Sequence, residues 1–75
     1  MNARKIQIRT KKSDSAYVYH TLEANEGLTS YKTLGHREGE QHRDMELIFT
    51  PDAEEDVRAL LAELQKMMWL EILSG

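Results

Sequence analysis

Residues 44–57 read Asp44-Met45-Glu46-Leu47-Ile48-Phe49-Thr50-Pro51-Asp52-Ala53-Glu54-Glu55-Asp56-Val57. Met45, Leu47 and Phe49 alternate with Glu46 and Ile48, the two-residue period of a strand with one buried face. Pro51 then ends the ladder, because it has no N–H to give. Asp52 and Glu55 have the spacing of a capping box, and the acids of the next turn suit the positive end of a helix dipole. Val57, Leu60, Leu61, Leu64 and Met67 or Met68 continue at three- and four-residue steps. The run therefore predicts a strand over 44–50 and an amphipathic helix from Asp52 to about Lys66.

Working outward, Arg4 to Thr10 alternates in the same way, with Ile6 and Ile8 opposed to Lys5, Gln7 and Arg9. This predicts a first strand. Ser13 or Asp14 can cap a helix that runs to about Glu26, with Val18 and Leu22 on its inner line and Gly27 as its left-handed stop. Leu28 to Leu34 is strand-like in its Thr and Tyr content. Gly35 to Arg43 is polar and reads as a hairpin loop. Met68 to Leu73 is a short apolar strand. The order is strand, helix, strand, strand, helix, strand over a single domain, 1–75. Two right-handed crossovers joined by a hairpin give an α+β, ferredoxin-like βαββαβ sandwich. Its antiparallel sheet has the order 4-1-3-2, with both helices on one face. The expected core is Ile6, Ile8, Val18, Leu22, Met45, Leu47, Phe49, Val57, Leu60, Leu61 and Leu64.

The composition narrows the function classes. The chain has no cysteine, so disulfides, thiolate metal sites and thiol catalysis are excluded. A small domain without disulfides suits a reducing compartment, and a cytoplasmic location is expected. No apolar segment follows the basic N-terminus and none approaches a membrane span, so neither a signal peptide nor a membrane role is expected. Arg4, Lys5, Arg9, Lys11 and Lys12 stand without an acid among residues 1–12, while all 13 acids come later. The basic segment raises nucleic-acid binding, with Arg4, Lys11 and Lys12 as the contacts left once Lys5 and Arg9 pair within the sheet. The two central strands offer no outward aromatic for stacking a base, which disfavours that reading.

Other candidates have plainer explanations. His36 and His42 lie six apart in the hairpin loop, a spacing that does not suggest a metal centre. Tyr17 is expected to be exposed and Tyr19 to pack at the core edge. Met45, Met67 and Met68 read as core filling. No glycine-rich phosphate or dinucleotide pattern occurs, and no catalytic triad is legible, so no enzyme activity and no cofactor are expected.

The segment Tyr19-His20-Thr21-Leu22-Glu23-Ala24-Asn25-Glu26-Gly27-Leu28, with the later Phe49-Thr50-Pro51-Asp52 turn, resembles a small bacterial domain family of unknown function. The resemblance implies the fold and no activity. The element order is also similar to that of ACT regulatory domains, which commonly bind amino acids near the loop after the first strand. Here that loop, Thr10-Lys11-Lys12-Ser13-Asp14, has no glycine to let a ligand approach the backbone.

The last strand carries the functional expectation. Trp69 and Leu73 fall on one side and Leu70 and Ile72 on the other, so one apolar side stays uncovered, near Ile48. An apolar edge of this kind commonly marks an interface. The sequence therefore predicts a small non-enzymatic binding or regulatory module of unknown ligand. It is expected to form a homodimer through the last strand or the open sheet face, with Ile48, Trp69 and Leu73 in contact. A weak RNA-associated protein is the alternative.

Overall fold

The computed structural model describes residues 2–35 and 38–75. Four strands, β1 (Arg4–Lys11), β2 (Ser30–Thr33), β3 (His42–Phe49) and β4 (Leu70–Ser74), form one sheet. Two helices, α1 (Ser15–Ala24) and α2 (Glu54–Met67), connect them. The strand order is β2-β3-β1-β4, with every pair antiparallel. This is the expected α+β ferredoxin-like arrangement. β1 and β3 pair over their full eight residues, Arg4 against Phe49 through Lys11 against His42. That long central ladder matches the two clearest alternating runs in the sequence.

Ile6, Ile8, Met45, Leu47 and Phe49 on the sheet meet Val18 and Leu22 of α1 and Val57, Leu61 and Leu64 of α2. All are buried, and Leu70 joins them from β4. Leu60, expected in the core, is only partly buried, because Val57, Leu61 and Leu64 form the inner stripe and Leu60 flanks it. Met67 is 63% exposed, not core filling; Met68 is the one that packs inward.

The helix ends differ from the expected caps. Each helix is entered through a 3₁₀ turn, Lys12–Asp14 before α1 and Pro51–Ala53 before α2. No side chain caps the N-terminus of either turn or either helix. Asp52 thus lies inside a turn begun by Pro51, and the Ala53 N–H donates to the Thr50 carbonyl at 2.9 Å. The acids Glu54, Glu55 and Asp56 still occupy the first turn of α2, where the helix dipole favours them. α1 stops at Ala24, two residues early, and Gly27 has no left-handed backbone. Asn25 ends the helix instead. Its amide donates to the Thr21 carbonyl at 2.8 Å, and its carbonyl accepts from the Leu28 and Thr29 N–H groups.

β2 is shorter than expected, and β3 begins two residues earlier, which takes His42 out of the hairpin loop. Within that loop Gly39 has φ +89°, where a side chain is strained. Gly39→Ala is expected to cost about 1 kcal/mol, read as a lower urea midpoint with an unchanged denaturant slope.

Candidate functional site: the open sheet face and the β4 edge

The face of the sheet away from the helices is built from cross-strand rows. Ile48 lies between Lys5 and Ser30; Glu46 lies between Gln7 and Lys32. Arg9 lies between Asp44 and Glu71, and His42 opposes Lys11. Two of these rows hold opposite charges on adjacent strands, Glu46 with Lys32 and Arg9 with Asp44 and Glu71, so those strands attract one another.

Arg9 donates twice to Asp44, from Nε to Oδ1 at 2.8 Å and from Nη2 to Oδ2 at 3.0 Å. That fork is the strongest geometry available to such a pair. The hydrogen bond from Arg9 holds the Asp44 carboxyl below its ordinary value and raises the Arg9 guanidinium. Glu46 is only 7% exposed although it stands on the open face. Its Oε2 accepts from Gln7 Nε2 at 3.2 Å, and Lys32 Nζ lies 3.4 Å from Oε1. Oε1 makes no hydrogen bond. The Gln7 bond and the Lys32 charge keep the Glu46 carboxyl below its ordinary value. These contacts make the middle of the face a polar lattice in which only Glu46 Oε1, among the buried side-chain atoms of the described residues, lacks a hydrogen bond.

Arg9 is absorbed by this lattice and Arg4 by α2, whereas Lys5, expected to pair within the sheet, opposes Ile48 and makes no ion pair among the described residues. Arg4 sits 3.8 Å from Glu54, so it is engaged rather than free. Lys11 and Lys12 are exposed at the end of β1 and make no ion pair among the described residues. Beside them the Trp69 and His42 rings pack with centroids 5.3 Å apart. Trp69 thus reaches over the end of the open face, and it remains 42% exposed.

The structure does not bring the three expected interface residues together. Ile48 opposes Lys5, whereas Trp69 adjoins the other end of β1, where Lys11 opposes His42. Six residues of strand separate the two ends, about 20 Å. Ile48 instead borders an open groove of about 410 Å³ that also includes Thr29, Phe49 and Thr50. Trp69 and Leu73 do share the β4 side of the molecule. The register there jumps from Ile8 opposite Ile72 to Gln7 opposite Ser74, so Leu73 is the extra residue of a bulge. The simple alternation expected for this strand is broken at that point. Ile72 faces the helix side, opposite buried Ile8, yet is 37% exposed. Ile72 is thus an exposed apolar residue that the expected contact set of Ile48, Trp69 and Leu73 does not contain. Its position on an edge strand was the available signal.

The remaining polar groups near α1 serve packing. Tyr19 and Tyr31 have ring centroids 5.6 Å apart, and the Tyr31 hydroxyl donates to Glu23 at 2.9 Å, which raises the phenol above its ordinary value. Among the described residues no three His, Asp or Glu side chains converge on a common point; His36 lies outside the described residues. No helix among them is long and apolar enough to cross a membrane.

The fold defines the class: an α+β ferredoxin-like sandwich with two helices on one face. No family model, curated protein or solved structure matches the chain.

Proposed function

We propose that the protein is a small non-catalytic binding or regulatory module that works as a homodimer, joined along β4. The observation that carries this reading is the contrast between the two sheet edges. β2 carries exposed Lys32 between Tyr31, which packs against the core, and Thr33, and an edge lysine is a common guard against edge pairing. β4 reads Leu70-Glu71-Ile72-Leu73-Ser74, with no Lys, Arg or Pro, and Ile72 and Leu73 are exposed beside Trp69. A domain of this size buries only about 60% of its unfolded surface, so a second copy adds burial that the monomer lacks.

Light scattering at high-micromolar concentration should give twice the chain mass. Leu73→Lys should return the mass to that of one chain with the same circular dichroism spectrum. Ile48→Ser should leave the dimer intact, since Ile48 is remote from β4. A wild-type monomer at that concentration would sink the proposal. Loss of the dimer in Ile48→Ser, with Leu73→Lys unaffected, would move the contact to the open face.

A second reading has one observation in its favour. Lys11 and Lys12 stand near the exposed Trp69 ring, so two cations and one stacking surface adjoin. Weak RNA association through this corner predicts salt-dependent retention on immobilised RNA. No retention at low salt removes it.

A further inference from the structure

We infer that the second copy pairs antiparallel along β4 with Ile72 on the two-fold axis, so that the two four-stranded sheets become one continuous sheet of eight. This rests on the proposed β4 dimer and adds its register.

Three observations select the register. The first is the extent of the free edge. α2 tethers both ends of β4: Gln65 donates to the Leu70 carbonyl at 3.1 Å, and Arg58 donates to the Gly75 carbonyl. The strand between them runs Leu70–Ser74, and its midpoint is Ile72. An axis there sets Glu71, Ile72 and Leu73 of one copy against Leu73, Ile72 and Glu71 of the other; past the bulge Ser74 sits with Gln7 on the open side and ends the match with helix-facing Leu70.

The second is facing. In an antiparallel pair, opposed residues point to the same side of the sheet. For the helix-covered sides of both copies to run on, each residue must oppose one of like facing. The axis then passes through a residue: Glu71, Ile72 or Leu73.

The third is charge. An axis at Glu71 would set two carboxylates directly opposite each other, a destabilising pair. An axis at Leu73 would centre on the bulge and leave Leu70 and Glu71 unopposed. With Ile72 on the axis, each Glu71 faces a Leu73 of the other copy and keeps Arg9 as its neighbour on β1. The exposed Ile72 side chains meet each other on the helix side, which extends the apolar layer that Ile8 begins.

The absence of cysteine makes the test clean, since any disulfide reports only an introduced thiol. On this register the two Ile72 Cα atoms lie about 4.5–5.5 Å apart, within the range of a disulfide. The two Glu71 Cα atoms are offset by two residues and lie about 8 Å apart, beyond that range. Ile72→Cys, Glu71→Cys and the remote surface variant Ala16→Cys would be oxidised under mild conditions and followed on non-reducing gels. Circular dichroism confirms that each variant is folded. Ile72→Cys should form covalent dimer at least about tenfold faster than the other two, as the Cα geometry requires. Faster crosslinking of Glu71→Cys than of Ile72→Cys, with wild type dimeric by light scattering, overturns the register and leaves the dimer standing. Equal background rates for all three with a monomeric wild type overturn both.

Discussion

Leu61→Ala should bring the protein to the brink of unfolding. Leu61 is fully buried in the middle of α2, on the same stripe as Val57 and Leu64. Truncating a leucine in such a site costs about 2–5 kcal/mol, part from lost transfer energy and part from the cavity left behind. Domains carry about 0.05–0.15 kcal/mol of stability per residue, or roughly 4–11 kcal/mol for a chain this long. The loss therefore removes a large share of the total. At about 4–8 °C per kcal/mol for a domain of this size, the melting temperature should fall by about 8–40 °C. Leu60→Ala is the control. The residue is adjacent but only partly buried, so its loss should be well under half as large. Both must be measured at one protein concentration, because a dimer's apparent stability varies with it. Equal losses at 60 and 61 would mean that α2 is rotated from the orientation described.

That pair of residues also shows what sequence alone could resolve. Leu60 and Leu61 both fit a three–four apolar pattern, so both read as core. Only the crossing of α2 over the sheet separates the inner position from the flanking one. The strands were easier, since a two-residue period admits just two facings. Lys5, Gln7 and Arg9 fell outward and Ile6 and Ile8 inward, as the alternation requires. The caps were not legible. Asp52 and Glu55 have capping-box spacing, but Pro51 starts a 3₁₀ turn ahead of them and supplies the entry without a side-chain bond. The spacing of the interface candidates is a different matter. Ile48 and Trp69 are both apolar residues outside the core. Their separation depends on the register of β1 against β3, which no local pattern encodes. The bulge at Leu73 is likewise invisible in five residues of apolar sequence.

The open-face lattice yields the second large effect, and it depends on pH. Glu46→Lys would place a third ammonium beside Lys5 and Lys32, on a site where only 7% of the residue is exposed. The variant should be severely destabilised, because the new ammonium lies directly opposite Lys32 on β2 and diagonal to Lys5 on β1, in a nearly buried site. Glu46→Gln is milder and more informative. The folded-state carboxyl of Glu46 is held below its ordinary 4.5, first by the Gln7 hydrogen bond and then by Lys32. A lowered folded value means that the unfolded chain takes up the proton first as pH falls. The stabilisation is present above about pH 4.5, shrinks as pH falls below it, and is gone once the folded carboxyl is also protonated. Wild type should therefore exceed Glu46→Gln in urea midpoint at pH 7, and the gap should close below pH 4.5. Asp44→Asn should behave in the same way in a lower window, since Asp44 lies below its ordinary 3.8 through Arg9. A gap between wild type and Glu46→Gln that stays constant from pH 7 to strongly acid solution would show that the Glu46 charge contributes nothing. The side chain would then act only through its volume in the row between Gln7 and Lys32.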